Sequence, residues 1–64
     1  MRNNLDRYIL QIKKETDLSN KHEYSLLRNH VCIAHGKATH DNIMQMFYEK
    51  YPCVIRYVKE IEHL

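Results

Sequence analysis

Apolar residues recur along this chain at spacings of three and four, and each such stripe reads as one face of a helix. Leu5, Tyr8, Ile9 and Ile12 fall at i, i+3, i+4 and i+7, which predicts a first amphipathic helix from Asn3 or Asn4 to about Thr16. Arg7, Lys13 and Lys14 lie off that stripe, as solvated side chains should. Thr16-Asp17-Leu18-Ser19-Asn20 is dense in capping residues and reads as a loop. A second helix is expected from Asn20, with Glu23 three residues on as the partner of a capping box. Tyr24, Leu27, Val31 and Ala34 form its buried stripe, Leu26 and Ile33 widen it, and His35-Gly36 ends it. Thr39 is the natural N-cap of a third helix, with Asp41 in its first turn and Ile43, Met46 and Phe47 facing inward. After the connection Tyr48-Glu49-Lys50-Tyr51, Pro52 opens a fourth helix whose Val54, Tyr57, Val58 and Ile61 are expected to be buried. The pattern therefore predicts an all-α fold, a small bundle of about four helices. It is a single domain over residues 1–64, with an N-terminal helix within 1–17 and a helical core over 20–63.

Composition supports that reading without sharpening it. Glycine and proline occur once each, at Gly36 and Pro52, so breakers are few. A chain of 64 residues holds one domain and buries only ~60% of its unfolded surface. Its core then needs help from a disulfide, a metal or a second copy. Cys32 and Cys53 allow one bridge at most, which is no secreted framework and points to a reducing cytoplasm. No apolar run approaches the ~18 residues of a membrane span, and Met1 to Arg7 lack the apolar stretch of a signal peptide. The expectation is a soluble cytoplasmic protein, of the size of the small chains carried by phages, plasmids and viruses. Ten basic against eight acidic side chains leave a net charge of +2, close to silent about nucleic acid.

From Gly36 to Ile61 the sequence resembles the helix-turn-helix core of winged-helix regulators. Ala38-Thr39 matches the pair that leads into the positioning helix, and Ile43 and Phe47 fall at its two buried positions. Val54 falls at the buried valine that opens the recognition helix, and Arg56-Tyr57-Val58-Lys59 is similar to the run that follows. Met44 and Tyr48 depart from the small residue and the glycine usual in that family, and the β-wing is missing. The resemblance implies a wingless DNA-binding domain and a transcriptional regulator that reads the major groove with its last helix. It implies double-stranded DNA as partner and a homodimer as the binding form. The dimer is also suggested by the thin core and by Leu10, an apolar residue off the first stripe. The residues expected to touch DNA are Lys37, Thr39, Lys50, Tyr51, Pro52, Ile55, Arg56 and Lys59. Arg2, Arg7 and Arg28 would add peripheral phosphate contacts.

Other constellations carry less. Cys32-Ile33-Ala34-His35 gives one C-x2-H half-pair, with His30, His40 and Cys53 dispersed, whereas structural zinc sites show two paired clusters. No metal, no cofactor and no enzymatic activity are expected. The competing reading is a compact protein-protein interaction module, an adaptor or inhibitor that binds a protein partner through a face bearing some of the five tyrosines.

Overall fold

The computed structural model describes residues 7–61. They form four strands and one short helix: β1 Tyr8–Thr16, β2 His22–Arg28, β3 Val31–Ala38, α1 His40–Ile43 and β4 Cys53–Val58. A π-helical turn over Met44–Tyr48 prolongs α1, closed by the Glu49 amide donating to the Met44 carbonyl at 3.0 Å. The all-α expectation is overturned, and with it the helix-turn-helix resemblance. The strands make one sheet in the order β3-β2-β1-β4, with β1–β2 and β2–β3 antiparallel and β1–β4 parallel. No residue of a helix-turn-helix pair is in place except the third helix, and that helix is correctly located, with Thr39 as its N-cap.

The first expected helix fails on a question of period. The segment Tyr8-Ile9-Leu10-Gln11-Ile12 contains apolar residues at both odd and even positions, so it satisfies a 3.6-residue stripe and a two-residue alternation alike. As a strand it turns Tyr8, Leu10 and Ile12 inward and Ile9, Gln11 and Lys13 outward. Leu10, expected to lie off the buried stripe and mark a dimer contact, is fully buried in the core instead. The N-terminal caps Asn3 and Asn4, along with Arg2, Leu5 and Asp6, lie outside the described residues.

The second expected helix is a hairpin. Asn29 and His30 both take positive φ, 51° and 72°, and join β2 to β3 through two residues in the manner of a type I′ turn. That turn most often carries glycine at its second position, and its absence hides the hairpin in the sequence. The Asn29 amide donates to the Arg7 carbonyl at 2.9 Å, and its side-chain Oδ1 accepts from the Arg7 amide at 3.0 Å, tying the turn to the start of β1. The expected loop at residues 16–20 is real, and it turns β1 into β2. The Asp17 amide donates to the Lys21 carbonyl at 3.0 Å, the Asn20 amide to the Asp17 carbonyl at 3.1 Å, and Asn20 takes φ 61°.

The fourth expected helix is strand β4. Its run Cys53-Val54-Ile55-Arg56-Tyr57-Val58 is rich in β-branched and aromatic residues. Its parallel partner β1 supplies the hydrogen bonds that a helix would have made internally. Because β3 and β4 run in the same direction at opposite edges, the segment from Thr39 to Pro52 must cross the sheet, and it lays the helix on one face.

That face is the core. Leu10, Ile12, Leu26, Ile43 and Cys53 form its buried cluster, with Tyr8, Tyr24, Ala34, Ala38, Met44, Met46, Phe47 and Ile55 packed around them. Strand β3 contributes only small residues to it, Ala34, Gly36 and Ala38. The reason is visible at Gly36, where a Cβ would lie 3.1 Å from the Tyr24 hydroxyl and 3.4 Å from its ring. The Tyr24 ring is itself held against Phe47, with centroids 5.2 Å apart. Gly36 is therefore a site of close approach inside a strand, not the end of a helix.

Two stability outcomes follow from these positions. His30 holds a left-handed backbone at a cost of roughly 1–2 kcal/mol for a residue other than glycine or asparagine. His30→Gly is expected to raise the urea midpoint by up to about 1 kcal/mol of stability, after the entropy that glycine loses. Ile43 is the fully buried anchor of the helix, and Ile43→Ala is expected to cost about 2–5 kcal/mol in the same titration.

Candidate interaction surface

The helix covers one side of the sheet, and among the described residues no element packs against the other. Strand register arranges that second face in three rows. The first runs Cys32, Leu27, Ile9, Val54 across β3, β2, β1 and β4. The second runs His35, Ser25, Gln11, Arg56. The third runs Lys37, Glu23, Lys13, Val58, with Lys13 Nζ and Glu23 Oε1 3.9 Å apart across β1 and β2. One row is apolar, one polar and one charged.

A register shift between Leu26 and Leu27 inserts Ile33 into β3 as an extra residue. Ile33 lies outside the core cluster and alternates with inward-facing Ala34, so it joins Cys32 on the open face. Exposure is concentrated at the two edges. Ile33 is 49% and Val54 60% exposed, while Leu27, Ser25 and Gln11 in the central strands are 2% or less. The long side chains of Lys13, Glu23 and Arg56 flank that sunken centre.

The residues expected to contact DNA are dispersed by this fold. Lys37 ends β3 at one edge of the open face, and Arg56 sits on β4 at the other. Ile55 points the opposite way and packs into the core. Lys50, Tyr51 and Pro52 form the exposed turn before β4, and Lys59 follows its far end, a strand length of ~20 Å away. Tyr51 is partly engaged, its ring 5.0 Å from that of Tyr8. Thr39 accepts a hydrogen bond from the Asn42 amide at 3.4 Å and caps the helix. The structure brings together neither the three lysines and the arginine of that set nor a helix to carry them. Arg7 and Arg28, the other expected phosphate contacts in the described region, lie at the start of β1 and the end of β2.

Aromatic side chains gather away from the open face. Tyr8, Tyr24 and Phe47 belong to the core side, and Tyr57 stacks on His40 at 6.0 Å with its hydroxyl hydrogen-bonded to His40 Nε2 at 2.9 Å. His22 lies edge-on to His40 at 6.1 Å, and its Nδ1–H donates to the Lys13 carbonyl at 2.7 Å. Among the described residues no three His, Cys, Asp or Glu side chains converge on a metal position.

The cysteines are chemically quiet. Cys53 is buried, and the loss of solvent pushes its thiol above the ordinary pKa, away from the reactive thiolate. The Cys32 thiol donates to the Ala34 carbonyl at 3.6 Å and lies 3.2 Å from Ser25 Oγ. Three strand spacings, ~14 Å, separate their strands, and a disulfide needs Cα atoms within ~7 Å. The one bridge that the sequence allowed does not form.

A shallow hollow opens where the β1–β2 hairpin meets the end of β3, lined by Lys13, Glu15, Thr16, Asp17, Lys21, Glu23 and Lys37. It is open and mixed in charge. No helix of the described residues is long and apolar enough to cross a membrane. No protein family, curated protein or solved structure matches this chain. Its function must be argued from the surface itself.

Sequence reasoning missed Ile9, Ile33 and Val54 as surface residues because a helical period sends Ile9 and Val54 inward. The available signal was the alternation Val54-Arg56-Val58 against Cys53-Ile55-Tyr57, which divides the segment into two faces.

One pH effect arises at the rim. The Asp17 carboxylate accepts from the Ser19 and Lys21 amides at 2.8 and 3.0 Å, and these bonds hold its pKa below the ordinary value. A depressed folded pKa gives stability that is present above the unfolded value, near about 3.9, and is lost as pH falls through the folded one. Asp17→Asn is expected to flatten the fall in thermal stability below about pH 4, read by circular dichroism melts across the acid range.

Proposed function

We propose that this chain is a small, non-enzymatic interaction module that binds protein through the uncovered face of its sheet. The observation that carries the reading is the apolar row ending in exposed Val54 and Ile33 on a face that no described element covers. Two apolar side chains left in water at opposite edges of a face whose other exposed groups are polar or charged favour a contact role. Among the described residues six apolar side chains are buried, so the apolar side chains left exposed on this face favour a role in recognition.

Nucleic acid is the weaker reading on three grounds. Sheets that hold single strands stack bases on several aromatic side chains, and the three rows of this face contain no Phe, Tyr or Trp and a single His35. The helical segment, residues 40–48, contains no lysine or arginine with which to enter a phosphate-lined groove. In the three rows, Lys13, Lys37 and Arg56 are interrupted by Glu23. Catalysis has less support still, since the described residues offer an open hollow and no nucleophile paired with a base.

The test uses the intact chain as bait in an extract of its own cells, beside the Ile33→Lys/Val54→Lys double variant. Proteins retained by the wild type and lost from the variant are the expected result, with the same circular dichroism spectrum for both baits. Equal retention by the two overturns the assignment of this face. Saturable, steeply salt-dependent binding of labelled single- or double-stranded oligonucleotides would replace it with a nucleic-acid function.

A further inference from the structure

On the core side of the sheet, at one end, side chains from three elements meet around His40. They are His22 at the start of β2, His40 itself at the start of α1 and Tyr57 near the end of β4. The His22 and His40 ring centres lie 6.1 Å apart and edge-on, and the Tyr57 ring stacks on His40 at 6.0 Å. Both imidazoles are half-buried, and each has one ring nitrogen engaged. His22 Nδ1 lies 2.7 Å from the Lys13 carbonyl, which can only accept, so the hydrogen of neutral His22 sits on Nδ1 and the lone pair on Nε2. His40 Nε2 lies 2.9 Å from the Tyr57 hydroxyl. With Nε2–H donating to the phenol oxygen, the lone pair of His40 sits on Nδ1. An imidazole whose one nitrogen is held by an oxygen, leaving a lone pair on the other, is oriented as metal-ligating histidines are.

We propose that His22 and His40 together hold one borderline divalent transition ion, of the class of zinc, through His22 Nε2 and His40 Nδ1. Two imidazoles on one tetrahedral ion, with bonds of ~2.0–2.1 Å, keep their ring centres roughly 5–6 Å apart. The observed pair reaches that spacing by a small rotation of either ring. Imidazole nitrogen suits zinc, copper and nickel, whereas magnesium and calcium take oxygen ligands. Among the described residues no group of three His, Cys, Asp or Glu forms here, so water completes the coordination and the ion exchanges readily. Tyr57 is a positioning residue, which fixes the ring plane and the tautomer of His40 without touching the ion. The ion joins β2 to the first turn of the helix, a link between two elements that only the fold brings together. This site lies on the core side and stands independently of the outer face.

The test is calorimetric titration of zinc chloride into the full chain, with NMR of the imidazole nitrogens in the same samples. One equivalent is expected to bind, with nitrogen shifts concentrated at His22 Nε2 and His40 Nδ1. His22→Gln and His40→Gln are each expected to weaken binding at least about ten-fold, and Tyr57→Phe about ten-fold at unchanged stoichiometry. His35→Gln, which breaks the C-x2-H half-pair with Cys32, is expected to leave the affinity unchanged. No binding up to about 1 mM zinc overturns the proposal. Shifts centred on His30 or His35 instead, or loss of binding in His35→Gln, overturn it as well, since the ion then sits elsewhere. The NMR readout is taken on the wild-type chain, so the outcome does not depend on how any variant folds.

Discussion

Strand β1 is hydrogen-bonded on both sides, antiparallel to β2 and parallel to β4, and the rest of the structure depends on how that one strand is phased. Its side chains alternate strictly, so a shift of one residue would send Leu10 and Ile12 to the open face and bring Gln11 and Lys13 into the core. The inward pair Leu10 and Ile12 meets Leu26 from β2 and Ile43 from the helix. The outward set Ile9, Gln11 and Lys13 heads the apolar, polar and charged rows in the same order. Core and outer face are thus two readings of one alternation, and neither can be altered in phase without the other.

A single helical segment over residues 40–48 covers a four-stranded sheet on one side. Among the described residues no element lies on the far side of the sheet. Two-layer folds bury one face of each element and leave the other to solvent or to a partner. In this protein the sunken centre of the open face, Leu27, Ser25 and Gln11, is already shielded, and exposed apolar surface is confined to the edge strands.

The sequence made some of this legible. The loop at residues 16–20, the N-cap at Thr39 and the helix behind it were all readable, because each depends on local chemistry: Asp17 accepting backbone amides, and Thr39 accepting from Asn42. The strands were not, because their signal is non-local. Tyr8 to Ile12 satisfies two periodicities equally well, and only the partners at Leu26 and Ile55, far along the chain, decide between them. The β2–β3 turn was concealed because Asn29-His30 adopts the left-handed conformation without the glycine that usually announces it. Gly36 misled in the other direction, since its role is to admit the Tyr24 ring. The likeness of Gly36 to Ile61 to a helix-turn-helix rested on side-chain identities that a strand and a helix can share. The arrangement of the outer face was invisible for the same reason, as rows exist only once register is known.

The parallel pairing of β4 with β1 also has a consequence in time. β1, β2 and β3 are joined by short turns and can form as a meander from neighbouring residues, whereas Tyr8 meets Cys53 across a separation of 45 positions. Closing so long a loop is entropically late compared with zipping a hairpin. Until the crossover delivers β4, the edge of β1 stands unpaired along Tyr8 to Lys13, with some of the most apolar sequence in the chain. An open apolar edge is a template for any passing strand. The interval between meander formation and β4 docking is therefore when this chain is most open to pairing with the wrong strand, and the speed of the crossover sets how long that exposure lasts.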